Sequence, residues 1–268
     1  MFVIYQLCLL ISRLSPVIST QKMKILLAFS LALLLLSVYS VEAKELDQNQ
    51  KQFILRIAPV VLKANKSLLE ERSKIIQLEA KIKSNAKLNE SEELFLSRLA
   101  AKYKVNAFKM DDEKSADLLP EIGDLLKRMD EIPPKLMIAQ AIIESGWGKS
   151  KFAKDCNNFF GVHCYSEGCG KKPVSEPDAK FEVKSYPDLL AGIEDYLHIL
   201  NTLSAYEGLR QARFKMRQAK DPLDAAILAG SLSRYSQKGE ECVKLIRSVI
   251  SEFLSMDLQK FIDDNQKP

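Results

Sequence analysis

P-P-K-L-M-I-A-Q-A-I-I-E-S-G-W-G, residues 133–148, reads as a helix built for the inside of a protein. Pro133-Pro134 suits a first helical turn, where a missing N–H costs nothing. Leu136–Ile143 is nearly all apolar. A helix apolar on every side is a buried central helix. Gly146 and Gly148 then break it. The last turn carries Glu144, and a carboxylate there is an informative placement. Apolar walls would disfavour its charged form, and so would the partial negative charge of a helix C-terminus. Both effects raise a carboxyl pKa, as a general acid working near neutral pH requires. Trp147, the single tryptophan, follows three residues later, placed to shield the carboxyl or to line a sugar subsite.

Upstream, residues 44–112 read as an N-terminal helical hairpin without catalytic signals, packed on the main domain as an appendage. Phe53, Ile54, Ile57, Val60, Val61, Ala64, Leu68 and Leu69 recur at helical spacing, continued by Ile75, Ile76, Leu78 and Ile82. Ser84-Asn85 breaks the pattern. Asn89 with Glu92 three residues on predicts a capped restart. Leu118–Met129 is a short helix. Downstream of Trp147, residues 161–184 lose helical periodicity, and Phe181–Lys184 alternates like a short strand. A small β-hairpin or an irregular loop is expected there. Ser185 as cap with Asp188 predicts the next helix, over Leu189–Leu203. Tyr206–Lys220 follows, then Leu223–Gly230 opened by Asp221-Pro222. Ser231–Gly239 is a polar link, Glu240–Leu254 is a helix, and 259–268 is a tail. The main domain is expected over 113–258.

The chain has 268 residues and only ten each of glycine and proline, which favours helices over sheets and tight turns. Residues 1–43 read as a signal peptide, with a start at Met23 equally complete. Lys24 supplies the positive charge, Ile25–Leu36 the apolar run, and Val41-Glu42-Ala43 the cleavage site. That run is shorter than the ~20 residues of a spanning helix. Removing Arg13, Lys22, Lys24 and Glu42 with this segment takes the formal charge from +4 to +2, which does not suggest a nucleic-acid binder. Four cysteines then remain: Cys156, Cys164, Cys169 and Cys242. Cys164 and Cys169 close a short glycine-containing loop and are the favoured disulfide; the alternative is that all four are small buried apolar residues. With two histidines at no ligand spacing, neither a metal site nor a cofactor is expected.

E-S-G-W-G-K-S-K-F-A at 144–153, followed by N-N-F-F-G-V at 157–162, resembles glycoside hydrolase family 73. C-Y-S-E-G-C-G at 164–170 and R-Y-S-Q-K-G at 234–239 are similar to its bacterial Bax-like members. The resemblance covers roughly residues 50–255. It implies a mostly α, lysozyme-like domain with a small β-element and endo-β-N-acetylglucosaminidase activity. It makes Glu144 the general acid and Asn157, Asn158, Phe159, Phe160 and Gly161 the floor of the sugar cleft. At least one of the two phenylalanines is expected to pack in the core. Tyr235 matches a tyrosine facing the scissile bond, and Tyr206 a further cleft tyrosine.

Family members often carry a second acid on a β-hairpin. Glu176 is the best candidate here, ahead of Asp178, Glu167 and Glu182, although none sits in a recognisable motif. An inverting route needs that second carboxylate about 6.5–9.5 Å from the first. A substrate-assisted route uses the substrate's own N-acetyl group, oriented by Tyr235, and is slightly favoured. The expected partner is the glycan strand of peptidoglycan, with membrane contact only through an uncleaved signal and an exported, periplasmic location. A muramidase or lytic transglycosylase of the same fold, a chitin-directed enzyme and a non-catalytic wall-binding protein are the rivals.

Overall fold

The computed structural model describes residues 45–106, 118–232 and 239–265. The expected signal peptide and Tyr235 lie outside them. Helix α1 spans Gln48–Lys83 and starts on a capping box between Asp47 and Gln50. Ser84 ends it, and Asn85 turns the chain at φ 59°. Helix α2, Glu90–Tyr103, begins on the capping box of Asn89 and Glu92. Helix α3 covers Leu119–Arg128 and α4 Pro134–Ser145. Proline fills the first turn of each. Helix α4 buries Leu136, Met137, Ile138, Ala139, Ala141, Ile142 and Ser145. Its apolar composition puts it at the centre, against α1 on one side and against two later helices, α8 (Ala225–Ala229) and α9 (Glu240–Phe253), on the other. Helix α1 contributes Phe53, Ile54, Ile57, Ala58 and Val61 to the same core. The N-terminal hairpin and the following domain therefore share one hydrophobic interior.

Short helix α5, Lys151–Asp155, leads to a three-stranded antiparallel sheet: β1 His163–Cys164, β2 Gly170–Lys171 and β3 Glu182–Lys184. The strand order β1-β3-β2 puts the strand foreseen at 181–184 in the middle, paired on both edges. Gly170 is required by this pairing, because a Cβ there would lie 1.9 Å from the Val183 carbonyl oxygen. Helix α6, Leu189–Thr202, starts where expected, but its cap is Asp188 rather than Ser185. The chain stays extended because Tyr186 N–H donates to the Cys156 carbonyl and the Ser185 N–H to that of Cys169. A 3₁₀ turn, Ser204–Tyr206, precedes α7, Glu207–Ala219. Asp221 does not cap the next helix either. Its N–H closes the end of α7 on Met216, and Asp224 caps α8 instead. The segment after 257 forms helix α10, Leu258–Asn265, whose buried Leu258 and Ile262 face the core where α10 meets α1. Among the described residues, no helix is long and apolar enough to cross a membrane.

The turn between α3 and α4 sets the direction of α4, and it is held by charge. Arg213 of α7 is fully buried and donates to the carbonyls of Lys127, Arg128, Asp130 and Glu131 and to Asn201 Oδ1. Arg72 of α1 donates to the carbonyls of Leu126 and Met129. These two guanidiniums satisfy the orphan carbonyls at the end of α3 and suit its negative pole. Asp130, 2% exposed, accepts from Arg217 at 2.9 and 3.0 Å and lies 3.6 Å from Arg72. Burial would raise its pKa, but the Arg217 hydrogen bond and the Arg213 and Arg72 charges outweigh that and hold it below its ordinary value. Asn65 of α1 completes the clamp by bonding both the N–H and the carbonyl of Ile132.

Asp130→Asn leaves three guanidiniums short of their carboxylate and should lower stability by about 3 kcal/mol at pH 7. A depressed carboxylate pKa adds stability above the unfolded value of 3.8 that is lost as pH falls through the lower folded value. The deficit of Asp130→Asn should therefore begin to shrink as pH falls below 3.8. Urea unfolding at pH 7 and pH 3 checks this, and an equal deficit at both contradicts it.

Candidate active site

The open end of α4 and the loop after α5 meet at one place. Gly146 caps α4 in the left-handed conformation at φ 57°, and Trp147 N–H returns to the Ile142 carbonyl. Ser145 Oγ donates to Ala141 O and accepts from the Gly148 N–H, which fixes the exit path. Most of α4 is buried, but Gln140 and Ile143 are half-buried and Glu144 is exposed. The carboxyl thus opens to solvent from the end of a buried helix. Trp147 packs edge-on against Phe53 at 5.7 Å and Phe253 at 5.2 Å, which gives it a place in the core.

Opposite Glu144 runs the loop 157–162. A Cβ on Gly161 would sit 3.5 Å from Glu144 Oε2, so the backbone there faces the carboxyl directly. Asn158 is 3% exposed. Its Nδ2 donates to the carbonyls of Val162 and Lys184, and its Oδ1 accepts from the N–H groups of Phe160 and Val162. Two donors and two acceptor positions are all that an amide side chain offers. Asn158 is therefore spent on folding the loop onto β3, and the sugar-binding role expected for it is corrected. Asn157 sits at φ 51° and donates to the Tyr186 carbonyl, leaving its Oδ1 available. Phe159 is 1% exposed and packs near Phe53, the core role foreseen for one of the pair. Phe160 is buried too, stacked on Tyr196 with centroids 4.0 Å apart and planes 9° from parallel. Its ring supports the floor from beneath.

Two tyrosines stand by the carboxyl. Tyr206 is half-buried; burial, then the Glu144 charge, raises its pKa. Tyr196 is raised well above its ordinary value by burial first, then by Tyr206 and Glu144. Both phenols stay protonated across the neutral range. Gln140 Nε2 donates to Tyr196 Oη at 2.6 Å. Neither Gln140 nor Tyr196 stands out in the sequence by motif; a single polar residue in an otherwise apolar run was the available signal for Gln140.

The β-lobe carries the candidate second acids. Glu182 is not free for that work, because its oxygens accept from the N–H groups of Gly168 and Gly170. Glu176, Asp178 and Glu167 are exposed, the first two in the loop between β2 and β3. Cys164 and Cys169 are joined by a disulfide across the β1–β2 loop, while Cys156 and Cys242 are free thiols. The sulfurs of the bonded pair and the Glu182 carboxylate cluster together, but a disulfide is a poor metal ligand.

The family description "Mannosyl-glycoprotein endo-beta-N-acetylglucosaminidase" matches residues 121–248. The chain is 29% identical over 194 residues to Protein bax of Escherichia coli K12, covering 71% of this chain and 65% of that protein. It is 26% identical over 132 residues to a putative endo-beta-N-acetylglucosaminidase of Streptococcus pneumoniae serotype 4, covering 45% of this chain and 18% of that one. The chain thus spans just under two thirds of the first relative and under a fifth of the second. No solved structure matches it.

Asn158→Ala strips the partner from the buried Phe160 N–H and the half-buried Val162 N–H. Stability should fall by about 2 kcal/mol or more. Amide exchange at Phe160 and Val162 should speed up. Chemical unfolding with hydrogen-exchange NMR reads both, and unchanged exchange at the two amides argues against the clamp.

Proposed function

We propose, from the premise that residues 121–248 form a domain of the glucosaminidase family, that this chain is a glycoside hydrolase of the bacterial cell wall. It cleaves β-1,4 bonds on the reducing side of N-acetylglucosamine in peptidoglycan, with Glu144 as general acid. The observation that carries this reading is the placement of Glu144. A carboxyl ends a buried helix, opens to solvent, and faces the Gly161 backbone across a gap of a few ångströms. A bound glycan strand would displace water from this gap and supply the desolvation that keeps an acid protonated.

The chemistry follows from what stands around it. Glu144 gives its proton to the glycosidic oxygen as the C1–O bond breaks. In the substrate-assisted route, the N-acetyl oxygen of the same sugar attacks C1 and forms a cyclic oxazolinium ion. Water then opens that ring, and its proton returns to Glu144. This route suits the site because Glu182 is engaged with backbone amides and Glu176 and Asp178 are exposed loop residues. Tyr206 stays an O–H donor beside Glu144 and can hold the substrate, while Asn157 Oδ1 can accept from it. Tyr235 is assigned to orienting the N-acetyl group, with Glu176 as the base if the route is inverting.

Export fits the same reading. The Met23–Ala43 pattern is that of a signal peptide, and the Cys164–Cys169 bond suits an oxidising compartment such as the periplasm.

Glu144→Gln removes the acid proton at almost constant shape. Release of dye-labelled fragments from sacculi should fall by about 10²-fold or more, with the melting temperature unchanged. Near wild-type release by this variant would sink the assignment. Tyr235→Phe should lower kcat more than it alters KM, and equal turnover in both proteins would demote Tyr235 to packing.

A further inference from the structure

Gln140 interrupts the apolar run of α4 one turn before Glu144, and residues four apart lie on the same helix face. Its Nε2 donates to Tyr196 Oη at 2.6 Å. The Tyr196 ring stacks on Phe160 at 4.0 Å. Phe160 precedes Gly161, whose backbone faces Glu144 Oε2. These contacts close a ring: the helix turn from Glu144 to Gln140, the amide to Tyr196, the stack to Phe160, and the backbone back to Glu144. The opposite pole of the amide, Oε1, is buried with no hydrogen-bond partner among the described residues. An unpaired buried oxygen costs about 1–3 kcal/mol. Leucine or methionine would fill the same space without that cost, so packing alone does not account for a glutamine here.

We propose that Gln140 is a positioning residue for the reaction assigned above. Through the Tyr196 hydroxyl and the Phe160 ring it fixes the gap between the Glu144 carboxyl and the cleft floor at Gly161. The inference rests on that functional reading. Because Gln140 donates to Tyr196 Oη, the phenol's own proton is left free to point away from the amide. Burial and the nearby Tyr206 and Glu144 keep that proton in place. The device thus fixes both a distance and a hydrogen-bond direction, and neither needs Gln140 to touch substrate.

The test is a double-mutant cycle on the full mature chain, with Gln140→Met and Tyr196→Phe. Both keep the volume, and Tyr196→Phe keeps the stack while removing the bond. Each single variant should lose about tenfold to a hundredfold in kcat, with KM within about twofold, as small misplacements of reacting groups do. The double variant should be no slower than the worse single, since both break one link. Multiplying losses, or unchanged kcat in both singles, would overturn the proposal. A second readout needs no turnover. In ¹H–¹⁵N spectra the Gly161 amide should shift in Gln140→Met and in Tyr196→Phe to a similar position. A Gly161 signal unmoved in both overturns the proposal even if the wild type cuts no glycan, an outcome that would separately remove the functional reading. Circular dichroism melts confirm that each variant is folded, and Gln140→Leu replaces Gln140→Met if the latter is not.

Discussion

A single buried carboxylate among three guanidiniums governs the geometry of this protein. Asp130 sits in the turn that launches α4, between Arg72, Arg213 and Arg217. The arginines come from helices far apart in sequence, α1 and α7, and they meet only at this turn. Arg213 is the extreme case: fully buried, its pKa pulled down to about 10 mainly by desolvation, yet still cationic at neutral pH. A buried cation survives when its N–H groups find acceptors, and four peptide carbonyls of the α3–α4 turn, with Asn201 Oδ1, accept from the two terminal nitrogens. The turn cannot move without stranding a charge. That rigidity is passed along α4, one continuous helix, to Glu144 at its other end.

The site therefore stands on two scaffolds of different kinds. Glu144 is placed by helix packing and by the charged clamp. The opposing floor is placed by an amide, Asn158, which folds the loop with three hydrogen bonds and ties it to the central strand β3 with a fourth, to the Lys184 carbonyl. Between them, Phe160 and Tyr196 link floor to helix. The carboxyl itself stays exposed in the free protein. In the proposed reading, an acid at this open position takes its low-dielectric surroundings from the bound substrate, so binding and activation of the acid become one event.

Much of this was legible in the residues. A nearly all-apolar run bounded by Pro-Pro and Gly-x-Gly has few readings other than a central helix, and a capping box at Asn89 and Glu92 is a local signal read locally. Asp188 and Asp224 show where local reading fails. Each helix is capped three residues later than its nearest sequence signal, because the Tyr186 N–H is held by the distant Cys156 carbonyl and the Asp221 N–H by the end of the preceding helix at Met216. The N-N-F-F-G stretch marks the site, yet the letters do not say whether an asparagine faces sugar or backbone, and Asn158 turns to the backbone. Arg213 lies in a helix so rich in charge that a solvated face is the natural reading, and only the α3–α4 turn, with Asp130 83 residues upstream, makes it a core residue. Gln140 was visible as a polar letter in an apolar run, but its partner Tyr196 is fifty-six residues away.

The most direct test of the central claim is to digest purified peptidoglycan with the chain from Lys44 onward, reduce the products with borohydride and identify the new ends by mass spectrometry. The account predicts glucosaminitol ends. Muramitol or anhydro-muramyl ends, or intact glycan recovered with bound protein, would contradict it.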